Sequence, residues 1–260
     1  LIMQYGCSLG TPAQRSALAE FLSRQHGLPV TAEELAWGSG SSQSLALICT
    51  HLFAHHGRKL VFAGSPTYFL AGGIFSQSGA DVRELAVQPD GLDIEQLEAM
   101  LRAGLIPAFV YVIPTYQNPT GCLLAHEKCE RLVELAERYD FSVVADEPYN
   151  LLNLRGPVRP PLANYDRGRG RVFSLGSFAK LLGPGMRSGW LQASPEAIQH
   201  YARHSVFNSG GALNPLVSEL IAELLRTREL DSHVEALRRE YKKRSAALSS
   251  ALRSALPEAR

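Results

Sequence analysis

Four short apolar runs, each separated from the next by a helical pattern, constrain this chain more than any other feature. They occupy residues 59–62, 109–113, 141–144 and 171–175 and are rich in β-branched and aromatic side chains. Runs that are apolar throughout suit strands covered on both faces, as in a parallel sheet. Between and before them lie helical patterns. Residues 12–26 place Ala13, Leu18, Phe21 and Leu22 on one face, with Gly27 as the stop. A second helix runs from about 42 to 55, opening from the small-residue cluster at 38–42, and others cover 93–103 and 126–139. Strand and helix in alternation predict an α/β fold, a three-layer α/β/α arrangement with a mostly parallel central sheet.

After Asn214 the chain reads as helical to its end. Val217, Leu220, Ile221, Leu224 and Leu225 form an apolar face, and a charged stretch at 232–256 reads as a long helix leaving the main domain. The expected division is a large domain at 1–230 and a connecting helix at 231–260. Neither end looks like a natural terminus, so the sequence is expected to be part of a longer protein.

Composition removes several function classes. Of 260 residues, 45% are hydrophobic, which excludes an intrinsically disordered chain. Twenty-six Lys and Arg against 25 Asp and Glu give a net charge of +1, with no electrostatic footprint for nucleic acid or a membrane surface. No apolar run approaches the ~20 residues that span a bilayer. The cysteines, at 7, 49, 122 and 129, form no CxxC pair, and the histidines do not cluster with them. A zinc site or disulfide scaffold is not expected, and a reducing, cytoplasmic setting is.

In open α/β sheets ligands bind outside the carboxyl ends of the strands, so the residues after each run come next. Asn118-Pro119-Thr120-Gly121 follows the second run, Asp146-Glu147-Pro148-Tyr149 the third, and Ser177-Phe178-Ala179-Lys180 the fourth. Gly185-Met186-Arg187-Ser188-Gly189-Trp190 comes after that. From Asn118 the spacing is 28 residues to Asp146, 34 more to Lys180 and 7 more to Arg187. These elements, together with GSGSSQ at 38–43 and PTY at 66–68, resemble the fold-type I aminotransferases that use pyridoxal 5′-phosphate (PLP). Within that family the chain is most similar to the 2-aminoadipate and kynurenine aminotransferase group. The resemblance covers nearly all of the sequence and implies transfer of an amino group from an amino acid to a 2-oxo acid.

The residues also answer the cofactor's chemical needs. A Schiff base requires an amine, and a lysine serves when burial or a neighbouring cation lowers its pKa. Lys180, alone, would read as a surface lysine; placed after a buried strand end, with Ser177 and Arg187 nearby and partial burial expected, it reads as that amine. A protonated pyridine nitrogen needs an anion, and Asp146 suits it, while Glu147 points to the other side of an extended segment. A phosphate needs N–H donors and a cation. Gly40, Ser41 and Ser42 at a helix start offer the first, although such residues also simply cap helices. Arg187 offers a bidentate fork and Ser177 a hydroxyl. Family members often carry Gln where Ser42 stands, a small change if the contact is through backbone.

Other roles rest on the resemblance alone. It implies that Asn118 and Tyr149 hydrogen-bond the phenolic oxygen of PLP, and that Tyr68 stacks on the ring. It implies that Tyr5 reaches the neighbouring subunit's site in a homodimer, and that an arginine in a small C-terminal domain holds the substrate carboxylate. The expected catalytic set is Lys180, Asp146 and Tyr68, with no metal. The segment at 208–215 is glycine-rich and would flank the pocket, without revealing which amino donor is used. Two alternatives stay open: decarboxylase or lyase chemistry on the same cofactor, and a PLP-binding regulatory module or inactive short form. An N-terminal winged helix would favour a regulator, and an arginine-bearing C-terminal domain the transferase.

Overall fold

The computed structural model describes residues 4–154, 156–208 and 214–256. Among these the strands are β1 (Leu35–Gly38), β2 (Leu60–Ser65), β3 (Asp81–Gln88), β4 (Gly91–Leu92), β5 (Phe109–Val112), β6 (Ser142–Asp146), β7 (Val172–Ser177) and β8 (Gly189–Gln192). They form one sheet in the order β1-β8-β7-β6-β5-β2-β3-β4. Strands β3, β2, β5, β6 and β7 run parallel; β8 is antiparallel to both β7 and β1, and β4 to β3. The expected three-layer, mostly parallel α/β fold is present.

The helices are α1 (Pro12–His26), α2 (Ser41–His56), α3 (Phe69–Gln77), α4 (Ile94–Arg102), α5 (His126–Tyr139), α6 (Pro195–Tyr201), α7 (Ser205–Asn208), α8 (Pro215–Arg226) and α9 (Glu229–Ala255). Sequence signals explain the first of them. Thr11 and Gln14 form a reciprocal capping box at its start, and Gly27 ends it at φ 67°. Its buried face holds Leu18, Phe21 and Leu22 as expected, but Ala17 takes the place assigned to Ala13, which is exposed. On α8, Ile221 and Leu225 are buried whereas Leu220 is 56% exposed.

Side-chain alternation along the buried strands sorts the core into layers. Val61, Tyr111, Val144 and Leu175 face α2, α3 and α6, while Phe62, Val110, Val143 and Ala145 face α4 and α5. A third cluster packs α1, α8 and the first turns of α9 against Trp37, Phe178 and Trp190. Every residue of β5, β6 and β7 is buried, which is why these segments read as unbroken apolar runs. Strand β3 differs: it is mostly exposed and carries Asp81, Arg83 and Glu84. Its outer side meets only the two-residue β4, so it behaves as a charged sheet edge.

Candidate active site

Sheet direction decides which residues meet. Tyr68 follows β2, Asn118 follows β5, Asp146 ends β6, and Ser177 ends β7. Because β1 runs with the parallel strands, it delivers Gly40, Ser41 and Ser42 to the same edge. Because β8 runs against them, the residue just before it, Arg187, arrives there too. Ser41, Ser42, Tyr68, Asn118, Asp146, Tyr149, Ser177, Lys180 and Arg187 line one cleft of about 260 Å³. Gly40 stands at its wall as the N-cap of α2. Of the expected site residues only Tyr5 is outside; it is 88% exposed.

Among the charged residues that line the cleft, Asp146 is the most buried. Its Oδ2 accepts a hydrogen bond from the Tyr111 hydroxyl at 2.8 Å, while the buried Oδ1 has no partner. Burial pushes the carboxyl up to about 6, with the Tyr111 bond pulling the other way. Tyr111 itself is raised far above the ordinary phenol range, first by burial and then by the Asp146 charge. Sequence reasoning missed Tyr111. Only the register that sets Tyr111 opposite Val144 and Ala145 opposite Ser174 reveals that its hydroxyl reaches the end of β6.

One side of the cleft is built from backbone and one guanidinium. Gly40 has φ 100°, a conformation that favours glycine, and no side chain caps the first turn of α2 that follows. A Cβ at Gly40 would lie 3.0 Å from Arg187 Nη2, so the absence of a side chain lets the guanidinium sit against the helix start. Arg187 Nη1 also donates to the Pro184 carbonyl at 3.3 Å. The Ser177 hydroxyl accepts from Ala179 N at 3.1 Å, which fixes the turn after β7.

Lys180 departs from expectation in one respect: it is exposed, where partial burial was anticipated. It stands at a mouth shared by the cleft and a neighbouring apolar hollow lined by Tyr116, Leu152 and Tyr241, and nothing among the described residues covers it. Its backbone is nonetheless well anchored. Phe178 is fully buried between Trp37 and Trp190, with ring centroids 5.6 and 4.9 Å away, and Leu181 is 2% exposed. A close approach supports this stack: Gly176 has no Cβ where the Trp190 ring would lie 1.9 Å from one.

Three further residues of the cleft are aromatic or amide side chains. Tyr68 caps α3 and is half-buried, as are Asn118 and Tyr149. Burial, then the Asp146 charge, raises the Tyr149 hydroxyl. Residues 209–213 of the glycine-rich segment lie outside the described residues. Among the described residues no cluster of His, Cys, Asp and Glu forms a metal site, and all four cysteines are free thiols.

Charge and shape fit a ligand with a cationic ring and an anionic tail. The charged residues lining the cleft are Asp146, Lys180 and Arg187. The unpartnered Oδ1 of Asp146 calls for a cationic donor, and the bare helix start beside Arg187 calls for an anion. PLP has both features, and these residues fit it.

This arrangement is that of a large known group. The chain matches the aminotransferase class I and II family over residues 2–258 and belongs to it. It is 33% identical over 263 residues to aromatic-amino-acid aminotransferase 1 of Thermococcus litoralis, a match covering 98% of this chain and 61% of the relative. It is 29% identical over 259 residues to 2-aminoadipate transaminase of Thermus thermophilus, covering 98% and 62%. Among solved structures, the kynurenine aminotransferase of Pyrococcus horikoshii superposes with a TM-score of 0.86 at 28% identity, covering 99% of this chain and 63% of that one. The chain thus spans about three-fifths of the length of these relatives.

Proposed function

We propose that this chain forms the cofactor-binding part of a PLP-dependent aminotransferase, which moves an amino group from an amino acid to a 2-oxo acid. The observation that carries the reading is the meeting, in one cleft, of a buried carboxylate with a free oxygen, a lysine amine and an arginine beside an uncapped helix start. Its membership of the aminotransferase class I and II family supports it.

When bound, PLP supplies an aldehyde that takes up the amino group and a protonated ring that spreads negative charge. The chain's own residues do the rest. Asp146 holds the proton on the ring nitrogen, and Tyr111 holds Asp146. Arg187, Ser177 and the N–H groups of Ser41 and Ser42 bind the phosphate. Tyr68 packs on the ring face, and Asn118 and Tyr149 donate to its phenolic oxygen. Lys180, exposed at the mouth and tethered at its backbone, would hold the cofactor through its amine and, once the amino donor has displaced that amine, would move a proton at the donor's α-carbon.

The same reading extends to the assembly. We take residues 1–230 as the cofactor domain and 231–260 as a helix leading to a further domain that clamps the substrate carboxylate. In support, the buried residues of α9 are Leu230 and Val234, both in its opening turns. A homodimer, with Tyr5 of one copy reaching the other's cleft, completes the site. The setting is the cytoplasm, and no helix among the described residues is long and apolar enough to cross a membrane.

Reduction of the PLP-loaded protein with borohydride, followed by peptide mapping, tests the reading. The pyridoxyl mass is expected on the peptide containing Lys180. A label on Lys59 or Lys128 instead would overturn the assignment. A panel of amino acids offered with 2-oxoglutarate then separates the alternatives. Amino transfer marks the transferase, loss of carbon dioxide or elimination without amino transfer marks decarboxylase or lyase chemistry, and PLP binding without any reaction marks a regulatory module or inactive form.

A further inference from the structure

On the opposite side of β6 from the cleft lies a second, small cavity. Asp146 and Glu147 are consecutive, so their side chains leave the extended backbone on opposite sides. Glu147 N donates to the Leu175 carbonyl at 2.9 Å and keeps that segment in the sheet. The Glu147 carboxyl is buried, and it ties the start of the excursion that links β6 to β7 to a point further along it. Near the start, Asn150 Nδ2 donates to Oε1 at 2.9 Å; further along, Leu162 N donates to the same oxygen at 3.1 Å. Ser174 joins them to β7, accepting from Ala163 N at 2.9 Å and hydrogen-bonding the Glu147 carboxyl. Tyr149, which lines the active-site cleft, lies between Glu147 and its partner Asn150 in the sequence.

Glu147, Asn150, Gln192 and His26 line the cavity together. Asn150 and Gln192 are each 4% exposed, yet Asn150 Oδ1 and Gln192 Oε1 have no hydrogen-bond partner, and neither has His26 Nδ1. Buried polar atoms left this way are satisfied in folded proteins by ordered water. The cavity offers about 10 Å³ to the centre of a water molecule, room for one. A water has two hydrogens to donate, and two buried amide oxygens stand here without a donor. Burial, with the neighbouring Asp146 charge adding to it, pushes the Glu147 carboxyl up to about 7 against the bonds from Ser174 and Asn150. A carboxyl that holds its proton near neutrality has an O–H for which the water oxygen is the ready acceptor.

We propose that this cavity binds one ordered water, which donates to Asn150 Oδ1 and Gln192 Oε1, and that Glu147 and this water form a positioning unit that holds Tyr149 against the cofactor. The second half rests on the PLP reading above, and the first half does not.

Two measurements on the full-length protein test it. A high-resolution crystal structure is expected to contain a water within hydrogen-bond distance of both amide oxygens; a dry cavity, or a water bonded to neither, overturns the binding site. PLP dissociation constants of Glu147→Leu, Tyr149→Phe and the double variant form a cycle for the positioning role. Glu147→Leu is expected to weaken PLP binding about tenfold. Glu147→Gln keeps an acceptor for Asn150 and Leu162 and is expected to stay within about threefold of the wild type. In the Tyr149→Phe background, Glu147→Leu is expected to add little. Equal losses for the Leu and Gln variants, or additive losses in the cycle, overturn the positioning role. If circular dichroism finds Glu147→Leu unfolded, Asn150→Ala takes its place under the same criteria. A wild-type protein that binds no PLP defeats the cofactor reading and the positioning role with it, while the crystallographic water decides the binding site on its own.

Discussion

Asp146 keeps its charge where little offsets it: one carboxylate oxygen takes a hydrogen bond from Tyr111 and the other takes none. The sign of the resulting pH dependence follows from burial. With an ordinary value of 3.8 and a folded value of about 6, the unfolded chain ionises first as pH rises. The stability contributed by the neutral folded carboxyl is present below about pH 4 and is lost as pH climbs through about 6, a change of about 3 kcal/mol. In urea unfolding of the cofactor-free protein, Asp146→Asn should match the wild type near pH 4. Near pH 8 it should be the more stable by up to about 3 kcal/mol. A variant less stable than the wild type at the higher pH would mean that Asp146 already has a cationic partner without cofactor. Arg187 is proposed to work in the opposite sense, since the ligand assigned to it brings the negative charge. Arg187→Ala should weaken PLP binding by roughly ten- to a hundredfold in a fluorescence titration, and Arg187→Lys should recover only part because an ammonium lacks the planar fork. Arg83, exposed on β3, is the control that should leave binding unchanged.

At the scale of elements, the turn after β7 shows how the lysine proposed to hold the cofactor is anchored. Phe178 fills the space between two tryptophans while Lys180, two residues on, stands in solvent. Phe178→Ala should cost about 3–5 kcal/mol in a denaturant titration. It should also slow the labelling of Lys180 by PLP, because the pivot of the side chain is loosened. A loss under 1 kcal/mol would mean that the aromatic stack is not what anchors the turn. The four central parallel strands, the helices at 12–26, 42–55, 93–103 and 126–139 and the polar residues that line the cleft were legible in the sequence, because strands buried on both faces and the turns after them carry strong local signals. Helices α3 and α6 were not. What escaped was set by tertiary context. Strand β8 is only Gly-Trp-Leu-Gln, β1 only Leu-Ala-Trp-Gly, and β3 carries the charges of a sheet edge. Tyr111 could not be tied to Asp146 without the register of β5 on β6. The exposure of Lys180 depends on what lies above the sheet edge, which no local pattern encodes.

For the whole molecule, the apolar surface beside the cleft bears on assembly. Phe69 and Leu70, directly after Tyr68, are 79% and 52% exposed, and Tyr5 is 88% exposed. Sedimentation of the full-length protein should give a dimer, and Phe69→Asp should raise its dissociation constant on the order of thirtyfold or more, as loss of a central aromatic anchor does. A Phe69→Asp protein that remains an equally tight dimer would place the interface elsewhere. Strand β1 carries a further consequence, for the order in which the protein becomes complete. Among the described residues, 35–38 have no strand neighbour other than β8, which lies some 150 residues later in the chain. Until β8 has been added between β1 and β7, the start of α2 has no fixed place beside Asp146, and the two halves of the cleft are not one site. Contacts this distant in sequence close slowly. The gain of cofactor affinity during refolding is therefore a clock for the closing of the sheet, and it should run behind the recovery of helical signal.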